Sequence, residues 1–452
     1  MKKNLFYLFA LICSMGVFTA CGDDDDPTWK KVPSQAITAE NLSLTTNMPS
    51  NPDASVKLTM SDAQNGVITL SKAVRGMDEV EVNVNVTERT DGSFKFQGEK
   101  SIGTTTKAIT DLISSTTVRV EGTITLDGKA EVAVTTTAAG NLVKKWDLCD
   151  AIVLGEKSKV AHAPFRLNWV STYKDASGQN EGLAADNIQL MGSVVVSGIM
   201  TKLLKDVEFR ADGSIVANYA KEVEINQDEI ISGIIGGGDL PSTEGIEWLS
   251  SPANLAYWYA GDDHVYVLLD IPSIVAEAMK DAENPSMTPE AIMEIVEMVK
   301  NMKGAQIKEL LSGFLASMGS DNILSKLDLT KIADSDIEKL IGYVLNGFPL
   351  SYQMTEVALA NGSKVNDIYV YLDKGIFDIF MPALYPMLPA LEAMLADVTL
   401  DMGGYPLPLW PLLQGLTGMS SLTEFEDIWK STTLLTVGLD LATGSLKEKE
   451  AE

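Results

Sequence analysis

The sequence is poor in the side chains that most often carry out chemistry. Its two histidines, His162 and His264, lie about a hundred residues apart, so no short motif joins them as zinc ligands. The GxSxG motif that presents an esterase serine is absent. His264 follows two aspartates in a predicted turn, which favours a solvated histidine, and Cys149 has no histidine nearby to activate its thiol. We therefore expect a buried structural thiol at Cys149 and no catalytic centre, metal site or cofactor.

Carboxylates dominate the charge of the chain. Asp and Glu number 62 against 35 Lys and Arg, which gives a formal net charge of −27 at pH 7. A surface this acidic repels phosphates and anionic headgroups, so nucleic acid is not an expected partner. A chain with so many acidic residues always contains pairs that resemble the catalytic carboxylates of a glycosidase. Such a pair is evidence for glycosidase activity only when the distance between the two carboxyl groups is known.

The first 26 residues have the layout of an export signal. Lys2 and Lys3 precede an apolar run from Leu5 to Val17, and small residues follow before Cys21. This order predicts a secretory signal peptide over residues 1–20. The stretch Phe18-Thr19-Ala20-Cys21 resembles a bacterial lipobox, although Phe18 stands where that motif usually has Leu. The alternative is an ordinary signal peptide with a chance cysteine.

The resemblance to a lipobox implies a particular fate for Cys21. Its thiol would be acylated, the chain would be cut before it, and the lipid would anchor the mature protein to a membrane. The following acidic run resembles the export signal of Bacteroidetes-type lipoproteins that reach the cell surface; its residues are Asp23, Asp24, Asp25 and Asp26. Residues 21–36 are then an acidic, flexible tether. No later segment offers about 20 uninterrupted apolar residues.

Residues 37–145 have the composition of an all-β domain. They are rich in Thr and Val, and residues 79–86 alternate strictly between polar and apolar, as a strand buried on one face does. Asp127-Gly128 separates two such runs, which indicates a hairpin turn. We predict a small antiparallel sandwich or barrel here.

Residues 146–443 mix hairpins with helices and predict a larger α+β domain, an antiparallel sheet covered by apolar helices. The patterns that support it are a hairpin at 207–219 around Asp212-Gly213, one at 254–271, one at 352–373 around Asn361-Gly362, and a closing strand at 432–441. A helical insertion is expected over about 272–346, where Ser335-Asp336-Ile337-Glu338 has the form of a capping box. Residues 444–452 form a charged tail.

Two of these hairpins look like copies of one unit. Residues 265–270 (VYVLLD) match residues 368–373 (IYVYLD), and an apolar helix is expected directly after each. A duplicated hairpin-and-helix unit explains this similarity. Chance similarity between amphipathic strands explains it equally well.

The late part of the α+β domain carries an apolar excess. Residues 376–391 are broken by three prolines, and residues 405–413 repeat this character. Such segments either pack into a large core or line a cavity for an apolar ligand. For the second case the candidate lining residues are Met381, Met387, Leu391 and Trp410.

The overall layout of lipobox, acidic tether, β-domain and α+β domain resembles Bacteroidetes lipoproteins of a domain-of-unknown-function family. That resemblance implies attachment to the outer membrane, facing the cell exterior, and it transfers no catalytic residue. We expect a non-enzymatic protein that binds an apolar or lipid-like ligand. The rival is a glycan-binding or scaffold accessory protein of an outer-membrane uptake system, with exposed aromatic rings among Trp258, Tyr259, Tyr266, Tyr369 and Tyr371. An enzyme without a recognisable motif is the third alternative.

Overall fold

The structure is a computed structural model. It describes residues 27–103, 112–155, 159–175, 177–223, 239–261, 263–280, 294–295, 298–317, 319, 322–359, 361–401 and 406–447. The predicted signal peptide, Cys21, the aspartates of the export signal and the end of the charged tail lie outside these residues, as does part of the expected helical insertion over 272–346. The chain is α+β, as predicted, with an N-terminal sheet and a larger sheet accompanied by helices.

The residues group by their contacts into two compact units. The first comprises the described residues up to Thr46 together with Ser50–Lys100 and Val118–Thr135, and the second comprises Asn47–Pro49, Ser101–Thr117 and everything from Thr136. This division differs from the boundary expected at residue 145. The sequence does not mark the change at residue 136 because strand β7 continues through it with the same Thr and Ala composition.

Seven strands form the N-terminal sheet: β1 (Leu42–Thr46), β2 (Ser55–Met60), β3 (Asn65–Val74), β4 (Met77–Glu88), β5 (Phe94–Gly103), β6 (Ser115–Ile124) and β7 (Ala130–Ala139). Their order is β1-β7-β6-β5-β4-β3-β2, with β1 parallel to β7. Just before β1, Ile37 exchanges both backbone hydrogen bonds with Val56 of β2. The segment 37–46 therefore bonds to β2 through Ile37 and to β7 through β1. These two contacts close the sheet on itself.

The alternation expected in residues 79–86 is present in β4. Its valines at positions 80, 82, 84 and 86 are buried, while the residues between them are exposed. The predicted Asp127-Gly128 turn is also confirmed, since Gly128 N–H donates to Thr125 O and Thr125 N–H donates to Lys129 O. Gly128 has φ +85°, which a residue with a Cβ rarely adopts.

The second unit contains the larger sheet. Its strands are β8 (Lys145–Leu148), β11 (Phe165–Ser171), β12 (Leu204–Phe209), β13 (Ser214–Ala220), β14 (Trp248–Ser250), β15 (Ala256–Ala260), β16 (Val265–Leu269), β17 (Phe348–Ala358), β18 (Lys364–Asp373) and β21 (Thr432–Ala442). Two small ribbons pair β9 (Val153–Leu154) with β10 (Val160–His162) and β19 (Thr399–Asp401) with β20 (Pro406–Pro408). The three predicted hairpins and the closing strand are all confirmed.

The larger sheet closes into a barrel, which the sequence did not predict. Strand β8 pairs with β12 on one side and with the last residues of β21 on the other. The ring is β8-β12-β13-β15-β16-β17-β18-β21. Because β8 pairs only with the last residues of β21, the earlier part of β21 is left to pair with β11. Closure leaves few strand edges with unpaired backbone groups.

The barrel interior is filled by large side chains that alternate along the strands. The buried residues of this core are Leu112, Ile113, Leu142, Trp146, Leu148, Phe209, Trp258, Val265, Ile368 and Leu441. The indole of Trp146 donates to Leu142 O, and that of Trp258 donates to Arg210 O, so both rings are buried with their polar atom satisfied. The interior is thus packed core.

Eight helices accompany the sheet in the described residues: α1 (Leu183–Leu203), α2 (Ile271–Ala278), α3 (Gly304–Ser317), α4 (Asp334–Asn346), α5 (Lys374–Leu384), α6 (Leu388–Asp397), α7 (Leu409–Thr417) and α8 (Phe425–Lys430). Helices α2 and α5 begin directly after the similar strands β16 and β18, so the expected helix after each is confirmed. The duplication itself stays a prediction. Helices α2, α3 and α4 lie in the expected insertion.

The capping box expected at residues 335–338 is wrong. Helix α4 begins earlier, at Asp334, with Ala333 as its N-cap residue and no side-chain cap. Glu338 instead accepts the backbone N–H of Gly304, the first residue of α3, at 3.0 Å. The carboxylate therefore satisfies a free N–H at the start of a neighbouring helix, where the helix dipole favours negative charge.

Two segments are long and apolar enough to cross a bilayer by length and composition, Leu183–Leu203 and Lys374–Asp397. The second contains the proline-broken apolar run 376–391, whereas no sequence pattern had indicated the first. The first carries a buried polar stripe of Gln189, Ser193 and Ser197, spaced one helical turn apart. The second is interrupted by a 3₁₀ turn at Tyr385–Met387. Both segments pack within the second unit. A helix in the core of a folded protein also meets this criterion of length and hydropathy, so the two segments are weak evidence for membrane crossing.

Candidate functional site

The four residues expected to line an apolar cavity do not form one group. Met381 packs in a cluster with Trp169, Met419 and Trp429, among others. Met387 and Trp410 are buried elsewhere among the helices, and Leu391 is half-buried. For Met381 the packed-core alternative describes the structure, because its side chain fills space between the sheet and helices.

The five aromatic residues proposed as a glycan surface are also dispersed. Trp258 and Tyr369 are only 1% exposed, which contradicts an exposed platform at these two positions. Tyr259 and Tyr266 stand opposite each other on β15 and β16, and their rings stack at 5.1 Å. The half-buried Tyr371 stacks on Tyr369. These rings contact one another, as cross-strand aromatic pairs in a sheet commonly do.

A cleft of about 670 Å³ lies beside the Pro-rich segment that the sequence singled out. Its apolar wall is formed by Pro382, Tyr385 and Pro386, at the junction of α5 with the following 3₁₀ turn, and by Trp429 of α8. Proline cannot continue the regular hydrogen bonding of a helix, which breaks the helix here and leaves room between elements. None of the four residues named from the sequence lines this cleft, so a cavity at those residues stays a prediction.

Charged side chains form the rim of the cleft. Lys374 pairs with Asp378 at 2.6 Å, one turn along α5, and Lys430 pairs with Glu426 at 2.7 Å, one turn along α8. Lys331 also lines the cleft, and its charge helps to lower the pKa of Asp328, which does not line it. Three lysines against two carboxylates leave this rim positive, in a chain whose net charge is −27.

The Trp429 side of the cleft wall is fixed by several contacts. The indole N–H of Trp429 donates to Oδ1 of Asp378 at 2.8 Å, and the Lys374 ammonium lies 5.1 Å from the centre of the Trp429 ring. The ring of Trp429 also stacks on Phe425, so it is 94% buried. Burial, together with the nearby carboxylates of Glu426 and Asp378, raises the pKa of Tyr385, so its hydroxyl is neutral.

A second cluster, of buried charges, lies on the outer face of the barrel. Tyr369 and Asp440 are cross-strand partners on β18 and β21, and Asp367 lies two residues from Tyr369 on the same face. The intervening residue, Ile368, points into the barrel core. Arg166 comes from β11, opposite Gly438, and His162 from β10. Asp367 and Asp440 are 1% and 0% exposed.

Each carboxylate of this cluster is held through one oxygen. Oδ2 of Asp440 accepts the backbone N–H of Ala163 at 3.0 Å and lies 3.5 Å from Nη1 of Arg166. Oδ2 of Asp367 lies 3.2 Å from Nδ1 of His162, an ion-pair distance without the alignment of a hydrogen bond. Within the described residues, Oδ1 of Asp367, Oδ1 of Asp440, Nδ1 of His162 and Nε of Arg166 have no hydrogen-bond partner.

Burial and charge shift the titration of this cluster. Burial raises the pKa of Asp440, and the neighbouring Asp367 raises it further, while Arg166 opposes the change. The Asp367 carboxylate raises the pKa of His162 against the effect of burial. The guanidinium of Arg166 is itself fixed, because it donates to Ala161 O and lies 3.6 Å above the ring centre of Tyr369.

No local sequence pattern indicates this cluster. His162 and Asp367 are more than two hundred residues apart, so no motif spacing could join them. One signal was present: Asp440 stands between two leucines in a strand that is otherwise apolar over most of its length. A lone charge within a buried strand indicates a specific partner. The predicted buried thiol at Cys149 is confirmed, and its Sγ donates to Ala151 O.

Comparison with protein-family models, with curated proteins and with solved structures found no match. The chemistry of the cleft and of the buried charge cluster therefore rests on their own residues.

Proposed function

We propose that this chain is a lipid-anchored protein of the outer membrane, exposed at the cell surface, that binds an amphipathic ligand with an apolar body and an acidic head. The site is the cleft between α5 and α8. The lipid anchor is Cys21, and the aspartates at positions 23–26 direct export, as the resemblance to surface lipoproteins implies. The role is binding, without catalysis.

The observation that carries this proposal is the contrast between the wall and the rim of the cleft. Pro382, Tyr385 and Pro386 offer apolar surface to the body of a ligand, and small-molecule sites are commonly lined in this way. Lys331 lines the cleft and offers a cation to its head, although it also interacts with the carboxylate of Asp328. A volume of about 670 Å³ is within the range of small-molecule sites, roughly 300–1,000 Å³.

The rival hypothesis of glycan binding is less well supported by this cleft. A sugar stacks on an exposed aromatic face, but the ring of Trp429 is already covered by Phe425 and approached by Lys374. Tyr385 is the one partly exposed ring among the residues that line the cleft. A fatty acid or a similar amphiphile uses the available surfaces more fully.

The test uses the mature chain carrying Cys21→Ser, so that it can be purified without detergent. Dodecanoate, its uncharged methyl ester and a neutral oligosaccharide are titrated separately and followed by calorimetry. We expect dodecanoate to bind, the ester to bind more weakly and the oligosaccharide not to bind. Lys331→Ala should weaken dodecanoate binding by about two- to fivefold, the value of one solvent-exposed ion pair.

Lys326→Ala is the matched control, because Lys326 is an exposed lysine on the adjacent 3₁₀ turn, Ile323–Lys326, and does not line the cleft. This variant should bind dodecanoate as the parent does. Equal weakening by both lysine variants would indicate a general charge effect and contradict the proposed site. Binding of the oligosaccharide alone would favour the glycan hypothesis instead.

A further inference from the structure

We propose that His162, Asp367 and Asp440 form a binding site for one divalent transition-metal ion of the zinc type, on the outer face of the barrel. This site is separate from the amphiphile cleft and does not depend on the function proposed for it. The ion would join strands β10, β18 and β21, which are far apart in the sequence.

Metal-ligating atoms of the three residues converge on one place. One ligand atom from each of the three residues lies within 4.8 Å of the other two, so a single ion can contact all three. An imidazole nitrogen and two carboxylate oxygens are donors that Zn²⁺ accepts in proteins. A fourth position would be left to water, as in sites with three protein ligands.

Two buried carboxylate oxygens at this site lack a partner, which is an observation independent of their proximity. Oδ1 of Asp367 and Oδ1 of Asp440 have no hydrogen-bond partner in the described residues, although both side chains are at least 99% buried. A buried carboxylate oxygen without a partner is unfavourable, and native proteins rarely leave such atoms unsatisfied. One metal ion bound by both oxygens would satisfy both carboxylates at once.

The charges lead to the same inference. With His162 neutral, as a metal ligand must be, two carboxylates and the one guanidinium of Arg166 leave a net negative charge. The negative charge is shielded from solvent, because the Asp440 side chain is 0% exposed. A bound cation supplies the missing positive charge, whereas an apo site would need a proton to do so.

The contacts around the site have the form of an outer shell that orients ligands. Ala163 N–H and Arg166 hold Oδ2 of Asp440, so that its Oδ1 is free to bind an ion. The hydroxyl of Thr355 lies 3.4 Å from Oδ2 of Asp367 and donates to it. Carboxylate ligands of metals are commonly fixed in this way through their second oxygen.

The test is zinc binding by the mature chain after treatment with a chelator. Calorimetric titration with Zn²⁺ alone should give one site per chain, and zinc should raise the thermal unfolding midpoint. His162→Gln and Asp367→Asn should each weaken zinc binding by roughly tenfold or more. Mg²⁺ at the same concentration should have little effect, because imidazole is a poor ligand for it.

The other histidine provides the matched control. His264 lies in a turn with Nδ1 2.5 Å from Oδ1 of Asp263, the kind of exposed pair that can bind zinc adventitiously. His264→Gln should leave the zinc affinity unchanged. The proposal is overturned if the wild-type chain takes up no zinc, if His162→Gln binds zinc as the wild type does, or if Mg²⁺ is equally effective.

Folding of the variants does not limit this test. X-ray absorption by the zinc-loaded wild-type protein reports the ligands directly, without any substitution. One imidazole with oxygen ligands is the expected result. A thiolate or two imidazoles in the zinc shell would assign the ion to a different place and would refute the site.

Discussion

The hydroxyl of Ser193, in the middle of the apolar helix α1, accepts the backbone N–H of Leu167 on strand β11 at 3.1 Å. One turn on either side, Gln189 accepts from Trp169, and Ser197 bonds to both backbone groups of Phe165. The rise of one helical turn nearly matches two residues of a strand, so a single stripe of the helix satisfies the free edge of β11. The stripe replaces the strand that would otherwise be needed there.

This arrangement predicts the effect of Ser193→Ala. The variant leaves the Leu167 N–H buried without an acceptor, since Ser193 is 0% exposed, so the free energy of unfolding should fall by about 1–3 kcal/mol. Thr201→Val is the control: the Thr201 hydroxyl bonds only to Ser197 O within the same helix, so its loss should cost much less. Chemical denaturation of both variants checks the prediction, and equal costs would contradict it.

Glycine at position 438 is expected to be essential for stability. A Cβ there would lie 2.0 Å from Val370 O and 2.6 Å from the Cα of Tyr371, both backbone atoms of β18. Gly438→Ala therefore cannot be accommodated without separating β18 from β21, and the unfolding midpoint should fall strongly. A midpoint equal to that of the wild type would show that the strands are not this close.

Gly342 in helix α4 makes the opposite prediction and serves as the control. No atom lies within 4 Å of a Cβ built at this position. Gly342→Ala should stabilise the protein by up to about 1 kcal/mol, because alanine has the higher helix propensity. Opposite shifts for the two Gly→Ala variants are the outcome to look for in parallel denaturation curves.

Stability should depend on pH through Glu424. Burial opposes ionisation, but hydrogen bonds from Ser420, Tyr173 and Ser421 outweigh it and lower the pKa of Glu424. A carboxyl whose pKa is lowered by folding contributes stability above its unfolded pKa of about 4.3 and loses it as pH falls through the folded value. The destabilisation by Glu424→Gln should therefore be full at pH 7 and shrink below about pH 4.

An exposed glutamate serves as the control for the pH dependence of Glu424. Glu309 lies exposed on helix α3, so Glu309→Gln should change the free energy of unfolding little at either pH. Urea denaturation of the three proteins at pH 7 and at pH 3.5 makes the measurement. If the difference between wild type and Glu424→Gln grew as pH fell, the assigned direction of the Glu424 pKa would be wrong.

The lipid anchor can be tested by changing one cysteine. Cys21→Ser should move the protein from the membrane fraction to the soluble fraction without unfolding it, because the acylated thiol is the proposed anchor. Cys149→Ser is the control: Cys149 is 2% exposed within the fold, so this variant should stay with the membrane. Retention of Cys21→Ser in the membrane fraction would mean that another part of the chain binds there.

Local patterns predicted the elements of this fold well. Asp-Gly and Asn-Gly dipeptides between alternating strands marked the hairpins at Asp212-Gly213 and Asn361-Gly362, since few residues other than glycine adopt the positive φ of these turns. The strand after α8 was also predicted, from its run of apolar residues. The predicted capping box failed because Glu338 is used by the neighbouring helix α3.

The closure of the barrel and both candidate sites depend on contacts between distant residues. Pairing of β8 with β21 joins Leu148 to Leu441, and no local pattern encodes that partnership. The prolines indicated a broken apolar segment, whereas the lysine rim of the cleft requires α8 and the 3₁₀ turn Leu329–Lys331 to lie alongside α5. Trp258, one of the five rings considered for a glycan surface, packs in the barrel core instead.

The sequence by itself determined the α+β class, the hairpins, the proline-broken apolar segment and the acidic charge, because these follow from backbone preferences and composition over a few residues. Only the tertiary structure decided that the sheet closes, and that the half-buried His162 lies beside the buried Asp367 and Asp440. The physical reason is that strand pairing juxtaposes side chains from elements hundreds of residues apart. Neither periodicity nor motif spacing carries that information.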